Sequence, residues 1–364
     1  MIGGGAAAPP PEVAAASAAV KDGHIEDALQ LLDRALEREP ECAAAHVVRG
    51  MALLALGRFE EGFVAYEQRR RVPGFEGNAP PLPRWDGRSM PGGTLLLWDE
   101  QGYGDTIQFV RFAARAVDRS GARVALYAHP RLCRLLRGSP GLRVGVGPRP
   151  RAGAWPPAQA QLSIMSLPTV LGLGAEELEG TTPYLAAETA LAAAWRTRID
   201  TLATVTGRRP RVGLVWQGNL LHVDDRRRSI PLAALAPLVE RFAGCVTFVA
   251  LQVGPALQAL AAARLPIVNL GGTLDRGPDA FIDTAAVISG LDLVIACDTA
   301  VAHLAGALGA TVWVVLARPC DWRWGRDCAR SPFYGTARLF RQPAPGDWDG
   351  ALAAVATALE QRVR

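Results

Sequence analysis

Lysine is almost absent from this chain of 364 residues. Lys21 is the only lysine among 39 basic residues, and all the others are arginine. Because Lys21 falls in a segment that we predict to be helical, the sequence argues against a lysine Schiff base and a Walker-type phosphate loop. The excess of arginine has two interpretations, namely codon bias in a GC-rich genome or a need for bidentate contacts with phosphate and carboxylate groups.

Patterns typical of metal sites and disulfide scaffolds are missing too. The six cysteines are scattered, no pair has CxxC spacing, and no histidine cluster accompanies them. This distribution argues against structural zinc and against a disulfide framework, and it favours a reducing compartment.

Long apolar runs are also missing. No run approaches the roughly 20 residues that span a bilayer, and the N-terminus lacks the basic and apolar regions of a signal peptide. The net charge of +4 is too small to indicate a nucleic-acid partner. We therefore predict a cytoplasmic protein without a transmembrane segment, with peripheral attachment to the inner membrane face as the alternative.

Length and composition predict several globular domains. A chain of this length exceeds one ordinary core, and 49% hydrophobic with 20% charged residues is typical of a soluble protein. The predicted segments are a disordered tail at 1–11, helical repeats at 12–72, a Pro/Gly-rich linker at 73–93, an α/β domain at 94–188, a linker helix at 189–210, a second α/β domain at 211–348 and a C-terminal helix at 349–364.

An internal repeat indicates the nature of the first helical segment. Gly23–Leu29 (GHIEDAL) is similar to Gly57–Phe63 (GRFEEGF) at an offset of 34 residues, the period of tetratricopeptide repeats. So short an array buries little core and leans on a neighbouring domain. It is either a surface that binds a partner or acceptor, or a helical cap on the next domain.

Apolar strands alternate with helices from Thr94 onwards. Thr94–Trp98 opens one series, with a helix expected over Ile107–Ser120, and Val212–Trp216 opens a second series. Pro83–Gly87, in the preceding linker, is expected to dock on the first series. The alternation predicts parallel sheets, and two Rossmann-like domains joined by a helix place a ligand cleft between them.

Leu291–Leu316 combines a strand, a turn, a helix and the next strand. The first strand ends at Asp298 and Thr299, both good helix caps, and Gly309 ends the helix. Because helix N-termini at this edge of a sheet bind anions, Asp298, Thr299 and His303 predict a phosphate-like ligand. The alternative is an ordinary cap and a core histidine.

The segment after the first strand carries two glycines, Gly102 and Gly104. Ile107 stands where a third glycine would complete a dinucleotide fingerprint, which disfavours a nicotinamide dehydrogenase. The glycines would instead allow close approach of another group, with Asp105 facing the cleft as a general base. Alternatively, Asp105 only caps the helix that follows.

Two arginine-rich segments complete the set of candidates. Arg226–Arg228 would neutralise a diphosphate leaving group at the rim of a cleft, or else form a solvated loop with the neighbouring aspartates. Pro319–Arg341 is dense in Trp and Arg for a loop. It either walls the cleft or packs as an ordinary loop.

These motifs, in this order, resemble a known family. Asp298–Gly309 (DTAVAHLAGALG) is similar to the D-T/S-x-x-x-H-x-A-x-A-x-G signature of glycosyltransferase family 9, the ADP-heptose:lipopolysaccharide heptosyltransferases. The chain most resembles the bacterial branch in which tetratricopeptide repeats precede the transferase. The motifs similar to that branch are EQGYGDTIQFVR at 100–111, GLVWQGN at 213–219, DRRRS at 225–229, DTAA at 283–286, LDLVI at 291–295, DWRW at 321–324 and RLFRQ at 338–342.

The resemblance implies a GT-B fold, in which two Rossmann-like domains face each other behind an all-α repeat domain. Residues 94–188 would form the acceptor side and residues 211–348 the nucleotide-sugar side. The implied reaction is a metal-independent, inverting sugar transfer from a nucleotide-sugar, such as ADP-heptose, to a hydroxyl group of a glycan, a lipid-linked glycan or a protein. No cofactor is expected besides the nucleotide-sugar, and the repeats are candidates for engaging the acceptor.

The resemblance also assigns residues, with Asp105 expected to be the catalytic base. The glycine-rich segment comprises Gln101, Gly102, Tyr103 and Gly104. The predicted donor-binding residues are Trp216, Gln217, Gly218, Asn219, Arg226, Arg227, Arg228, Gln252, Asp298, Thr299, Ala300, Val301 and His303. The heptosyltransferases usually place a lysine near the donor phosphates, whereas only arginines are available for that role here. The alternative function is a repeat-bearing scaffold with an inactive transferase domain.

Overall fold

In the computed structural model, a helical segment precedes two α/β domains. The structure describes residues 9–73, 75, 79–150, 154–178, 182–203, 209–270 and 272–363. Residues 1–8 of the predicted tail, 74 and 76–78 of the predicted linker, and 204–208 of the predicted linker helix lie outside the described residues. Within those ranges, no helix is long and apolar enough to cross a bilayer.

The helical segment consists of two helical hairpins and a 3₁₀ turn. Its elements are α1 (Pro11–Asp22), α2 (Ile25–Arg38), α3 (Ala43–Ala55), α4 (Phe59–Tyr66) and the 3₁₀ turn Glu67–Arg71. In the second hairpin, a Cβ atom at Gly50 would lie 2.7 Å from the backbone nitrogen of Tyr66. Helices α3 and α4 therefore pack more closely than a side chain at this position would allow.

The first α/β domain is built on a four-stranded parallel sheet with the order β3-β2-β1-β4. Its elements are β1 (Thr94–Trp98), α5 (Tyr103–Phe109), α6 (Ala113–Ser120), β2 (Arg123–Ala128), α7 (Cys133–Arg137), β3 (Gly145–Pro148), β4 (Ala160–Ser163), α8 (Leu167–Leu171) and α9 (Ala175–Leu178). The connecting helix α10 (Thr189–Leu202) follows.

The second α/β domain is built on a six-stranded parallel sheet with the order β10-β9-β8-β5-β6-β7. Its elements are β5 (Arg211–Val215), α11 (Asp225–Arg228), α12 (Leu232–Phe242), β6 (Thr247–Ala250), α13 (Ala256–Ala263), β7 (Ile267–Val268), α14 (Ile282–Ile288), β8 (Leu293–Cys297), α15 (Ala300–Ala307), β9 (Val312–Leu316), β10 (Ala337–Arg341) and α16 (Trp348–Val363). A 3₁₀ turn at Trp322–Trp324 interrupts the connection from β9 to β10.

Helix α4 packs against both α/β domains at once. The ring of Phe63 lies 6.2 Å from that of Phe109 in the first domain and 6.1 Å from that of Trp322 in the second. Phe59 lies 6.0 Å from Phe333, also in the second domain. The second helical hairpin thus shares an apolar core with both α/β domains, whereas the first hairpin packs around a separate cluster.

The predicted linker docks on the first sheet as the sequence predicts. Trp85 is 3% exposed, and its backbone N–H donates to the carbonyl oxygen of Gln161 in β4 at 2.9 Å. The N–H of Gln161 donates to the carbonyl oxygen of Pro83 at 2.9 Å. The irregular chain therefore satisfies the free edge of β4.

Two secondary-structure predictions were wrong. Helix α5 begins at Tyr103 and gives way to a 3₁₀ turn at Val110, so the glycine-rich motif is the first turn of the helix rather than a loop before it. The sequence also predicts no strand within Pro319–Arg341, where β10 forms the edge of the sheet. The exposed Arg338 interrupts the apolar pattern there, as polar residues on edge strands commonly do.

Candidate active site

A cleft of about 1340 Å³ opens at the carboxyl ends of the parallel strands. Residues that follow β1, β5, β6, β8 and β9 form its α/β walls, which is where ligands bind in open parallel sheets. The end of α1 with Lys21, and the turn after it with Gly23, form a further wall together with Met51 of α3. The repeat segment is therefore part of the cleft.

Most of the predicted site residues line this cleft. They are Gly102, Tyr103, Gly104, Asp105, Gln217, Gly218, Asn219, Arg227, Arg228, Gln252, Asp298, Thr299, Ala300, Val301 and His303. The sheet edges bring them together as expected, although they come from both halves of the α/β region.

Three predicted residues lie away from the cleft. Trp216 is 2% exposed and packs in the core of the second domain. Arg226 is exposed on the outside of α11, because consecutive residues of a helical turn point in different directions. Gln101 turns towards the repeat segment, where its Nε2 donates to the hydroxyl of Tyr66 at 3.0 Å.

Asp105 is a helix cap and a cleft-facing carboxylate at the same time. Its Oδ2 accepts a hydrogen bond from the backbone N–H of Gly102 at 2.9 Å, which caps α5. Its Oδ1 accepts from Nη2 of Arg323 at 2.5 Å. The two interpretations of Asp105 left open by the sequence are therefore compatible, and the carboxylate is ion-paired.

Gly104 lies where α5 and α15 meet. A Cβ atom at this position would lie 3.2 Å from Cδ2 of His303 and 3.6 Å from Cα of Ala300. The group that approaches this glycine is thus the start of α15 in the second domain. The short contact keeps Asp105 beside the predicted donor site.

Gln252 fixes the loop that follows β5. Its side chain is 4% exposed; its Oε1 accepts from the backbone N–H of Gln217 at 3.0 Å and its Nε2 donates to the carbonyl of Gln217 at 3.1 Å. A Cβ atom at Gly218 would lie 2.5 Å from Oδ1 of Asp225 and 2.8 Å from Nη2 of Arg228. A side chain at this position would displace the Asp225 carboxylate and the Arg228 guanidinium.

Arg227 and Arg228 leave the same turn in different directions. Nε of Arg228 lies 3.4 Å from Oδ1 of the buried Asp225, which keeps this arginine on the α/β side of the cleft. Nη2 of Arg227 donates to the carbonyl oxygen of Lys21, near the end of α1, at 2.6 Å. Arg227 thus ties the loop to the repeat segment.

The N-terminus of α15 faces the cleft, and Thr299 is its N-cap residue. Thr299 is 8% exposed, and its side chain makes no capping hydrogen bond. Within the described part of the chain, its buried Oγ1 has no hydrogen-bond partner. Together with the first helical turn, at Ala300 and Val301, this hydroxyl forms a site suited to an anion.

His303 is a neutral side chain fixed in the wall of the cleft. Its ring stacks on Trp324 with centroids 4.8 Å apart, and its Nδ1 lies 3.0 Å from the hydroxyl of Tyr334. Burial, and then the charge of Arg323, lower the pKa of His303 to about 3. It therefore carries no positive charge towards a phosphate near neutral pH.

Arg111 connects the first domain to this wall. Its Nη2 donates to the hydroxyl of Tyr184 at 3.0 Å, and its guanidinium lies 4.4 Å from the ring centroid of Tyr334. It also donates to the carbonyl oxygen of Phe333. Because Tyr334 holds His303, the domain interface orients the histidine ring.

Asp298 and Asp321 both line the cleft beside α15. Burial, and then the negative charge of Asp321, raise the pKa of Asp298 to about 6. Burial also opposes ionisation of Asp321, but the neighbouring Arg323 outweighs it and lowers the pKa of that carboxyl. Arg323 thus lies among carboxylates drawn from both α/β domains.

The sequence reasoning did not assign roles to Asp321, Arg323, Trp324 or Tyr334. All four belong to Pro319–Arg341, whose density of Trp and Arg is the signal that was available. The segment contributes Asp321 and Arg323 directly to the cleft. Its function as a wall of the cleft, one of two open alternatives, is confirmed.

A buried ion pair connects the repeats to the glycine-rich segment. Nε of Arg69 donates to Oε1 of Glu100 at 2.6 Å, and both side chains are 5% exposed. Arg69 also donates to Glu67 at 2.7 Å and to Ser166 at 3.0 Å. The repeat segment therefore fixes the chain just before Gly102.

Metal coordination finds no evident place in the described residues. No group of three or more His, Cys, Asp or Glu side chains among them is arranged to hold a metal ion. The metal independence implied by the family resemblance stays a prediction.

The fold is similar to that of solved glycosyltransferases. The crystal structure of a family 9 glycosyl transferase from Veillonella parvula superposes with a TM-score of 0.50 at 11% identity, covering 76% of this chain and 94% of that one. ADP-heptose lipopolysaccharide heptosyltransferase II of E. coli has a TM-score of 0.47 at 11% identity, covering 73% of this chain and 99% of that one. On the superposition with the Veillonella parvula structure, the α/β region has the predicted GT-B fold, with two facing Rossmann-like domains.

Comparisons of the amino-acid sequence identify the repeat segment and one relative of the whole chain. Residues 13–74 match the family model for the tetratricopeptide repeat, which confirms the interpretation of the 34-residue period. The chain is 28% identical to protein FlbA of Caulobacter vibrioides over 379 aligned positions, which cover 93% of this chain and 59% of FlbA. It thus spans well under two thirds of the length of that relative.

Proposed function

We propose that the protein is a glycosyltransferase that moves a sugar from a nucleotide-sugar to an acceptor hydroxyl group. The observation that carries the proposal is the position of the Asp105 carboxylate beside the N-terminus of α15, where the buried hydroxyl of Thr299 has no hydrogen-bond partner among the residues that the structure describes. The GT-B fold supports it. Binding of the donor diphosphate at Thr299, near Arg228, would place the anomeric carbon between the two domains.

The proposed reaction is a single inverting displacement. Asp105 accepts the proton of the acceptor hydroxyl while the oxygen of that hydroxyl attacks the anomeric carbon. The bond from that carbon to the diphosphate oxygen breaks, and the electron pair leaves with the nucleoside diphosphate. The N–H groups at the start of α15, the Thr299 hydroxyl and the Arg228 guanidinium stabilise the developing charge. The neutral His303 would contribute by position and hydrogen bonding only.

The acceptor is proposed to enter along the repeat segment. The α1–α2 turn lines the same cleft as Asp105, so an acceptor that reaches the carboxylate passes close to Lys21 and Gly23. This arrangement suits an acceptor group presented on a larger molecule, such as a glycan or a protein. A cytoplasmic location, as predicted from the sequence, is consistent with a nucleotide-sugar donor.

The test is a panel of nucleotide-sugars that includes ADP-heptose, read by calorimetry and then by turnover. With a productive pair, Asp105→Asn should lower the turnover rate by about 100- to 10,000-fold without weakening nucleotide binding. Asp118→Asn is the matched control, because Asp118 forms an exposed ion pair with Arg143 away from the cleft. Near-normal turnover of Asp105→Asn would exclude it as the base. If no nucleotide-sugar binds, the scaffold alternative is favoured.

A further inference from the structure

Arg323 occupies both ends of its guanidinium with carboxylates. Nη2 contacts Oδ1 of Asp105 in the first domain at 2.5 Å, and Nη1 contacts Oδ1 of Asp321 in its own domain at 2.9 Å. The side chain is 12% exposed and lies 4.2 Å from the ring centroid of Trp322. Its buried Nε has no hydrogen-bond partner among the described residues. The ion pair therefore spans the cleft without satisfying every donor.

The ion pair between Arg323 and Asp105 occupies the carboxylate oxygen that the proposed reaction needs. Oδ2 of Asp105 caps α5, so Oδ1 is the oxygen that faces the cleft, and Arg323 holds it. While the ion pair persists, the guanidinium keeps an acceptor hydroxyl from approaching Oδ1 closely.

The pair also lies beside the proposed anion site. Gly104, one residue before Asp105, contacts Ala300 in the first turn of α15. Trp324, one residue after Arg323, stacks on His303 of the same helix. A diphosphate at the start of α15 thus lies on the side of the cleft from which Arg323 comes. It offers the guanidinium more negative charge than a single carboxylate and suits its fork geometry.

We propose that Arg323 is a positioning residue that masks Asp105 in the free protein and turns to the donor diphosphate when the nucleotide-sugar binds. This inference rests on the proposed function. Its consequence is a fixed order of events, in which the donor binds first and only then is the base free to receive a proton. Hydroxyl groups that enter the cleft before the donor meet a carboxylate that is still ion-paired with Arg323.

A double-mutant cycle on nucleotide affinity tests the proposal without a known sugar. The probes are ADP, UDP, GDP, CDP and dTDP, titrated by calorimetry into the full chain. In the wild type, Asp105 competes with the diphosphate for Arg323, so Asp105→Asn should tighten binding of the preferred nucleotide by about tenfold. In the Arg323→Gln background, the same Asp105→Asn change should alter affinity by less than about twofold.

Two further variants separate this effect from its alternatives. Asp224→Asn removes another carboxylate from the cleft lining. The ion pairs of Arg323 among the described residues are with Asp105 and Asp321, so this variant reports the general effect of lost negative charge and should leave affinity within about twofold. Arg323→Lys keeps the charge, and in that background Asp105→Asn should still tighten binding. If Arg323→Gln proves unstable, Arg323→Met, which also removes the charge, serves as the background in which Asp105→Asn should change affinity by less than about twofold.

The outcomes distinguish this inference from the proposed function. The masking role is overturned if the wild type binds a nucleotide but Asp105→Asn does not raise the affinity. It is also overturned if Asp105→Asn raises the affinity equally with and without Arg323. Both results leave the transferase proposal intact. Equal tightening by Asp224→Asn also overturns the masking role, because the effect would then be nonspecific. If none of the nucleoside diphosphates binds to the wild type, both the proposed function and the masking role are rejected.

Discussion

Replacing Arg69 with methionine should strongly destabilise the protein, because this arginine neutralises Glu100 in the interior. Both side chains are 5% exposed, and their charged atoms are 2.6 Å apart. Burial raises the pKa of Glu100, and the charge of Arg69 opposes that rise. Removing one partner of a buried ion pair costs about 3–5 kcal/mol, since it leaves the other charge unpaired.

The measurement is urea unfolding of the full chain, followed by circular dichroism. Arg69→Met should lower the free energy of unfolding by about 3–5 kcal/mol, and the Arg69→Met/Glu100→Gln double variant should recover much of the loss. Arg71→Met is the matched control on the same 3₁₀ turn. Arg71 pairs with Glu41 at 2.6 Å, but the two side chains are 51% and 79% exposed, so the cost should be below about 1 kcal/mol.

The pH dependence provides a second measurement on the same variant. Without Arg69, the pKa of the buried Glu100 should rise further, and the folded state would then bind a proton that the unfolded chain has already released. Stability rises with pH only where the unfolded state holds more protons, so the deficit of Arg69→Met should be smaller at pH 5 than at pH 8. A deficit below 1 kcal/mol at pH 8, or one that does not change with pH, would refute the buried-charge reasoning.

Two other predictions concern Gly104, at the contact between the α/β domains, and the buried carboxyl of Asp298. Gly104→Ala should lower the unfolding free energy by about 1 kcal/mol or more, because its methyl group would lie 3.2 Å from the fixed ring of His303. Gly244→Ala is the control and should be neutral, since there is open space around its Cβ position. Equal effects of the two substitutions would contradict the prediction. The pKa of about 6 for Asp298 means that this carboxyl keeps a proton in the folded state between about pH 4 and 6, where the unfolded chain has already released it. As the pH rises through that interval, wild-type stability should therefore fall by up to about 3 kcal/mol relative to Asp298→Asn. Urea unfolding of both at pH 4.5 and 7.5 checks the sign, and parallel profiles would exclude the shift.

The fold was predictable to the extent that each local pattern agreed with its surroundings. The 34-residue period, the apolar strands and the Asp298–Thr299 turn all depend on neighbouring residues, and the structure has them where the sequence places them. Strand β10 was missed because Arg338 breaks its apolar pattern. The register of an edge strand depends on its neighbour β9, which a local pattern does not reveal.

The candidate site was predictable where residues follow a strand and not where they act across the cleft. Asp105 and Thr299 could be placed because each follows the carboxyl end of a parallel strand, where ligands bind in α/β domains. The partner of Asp105 could not, since Arg323 lies 218 positions away in the chain and no motif fixes that distance. Trp216 was misplaced because its motif identifies the loop but not the direction of each side chain.

The near-absence of lysine gives the cleft a chemical handle. Lys21 carries the one ε-amino group of the sequence, and that residue belongs to the lining of the cleft, next to the arginine that joins the repeats to the second α/β domain. Apart from the α-amino group at the N-terminus, an amine-selective dye would therefore mark only this side chain, at the entrance proposed for the acceptor.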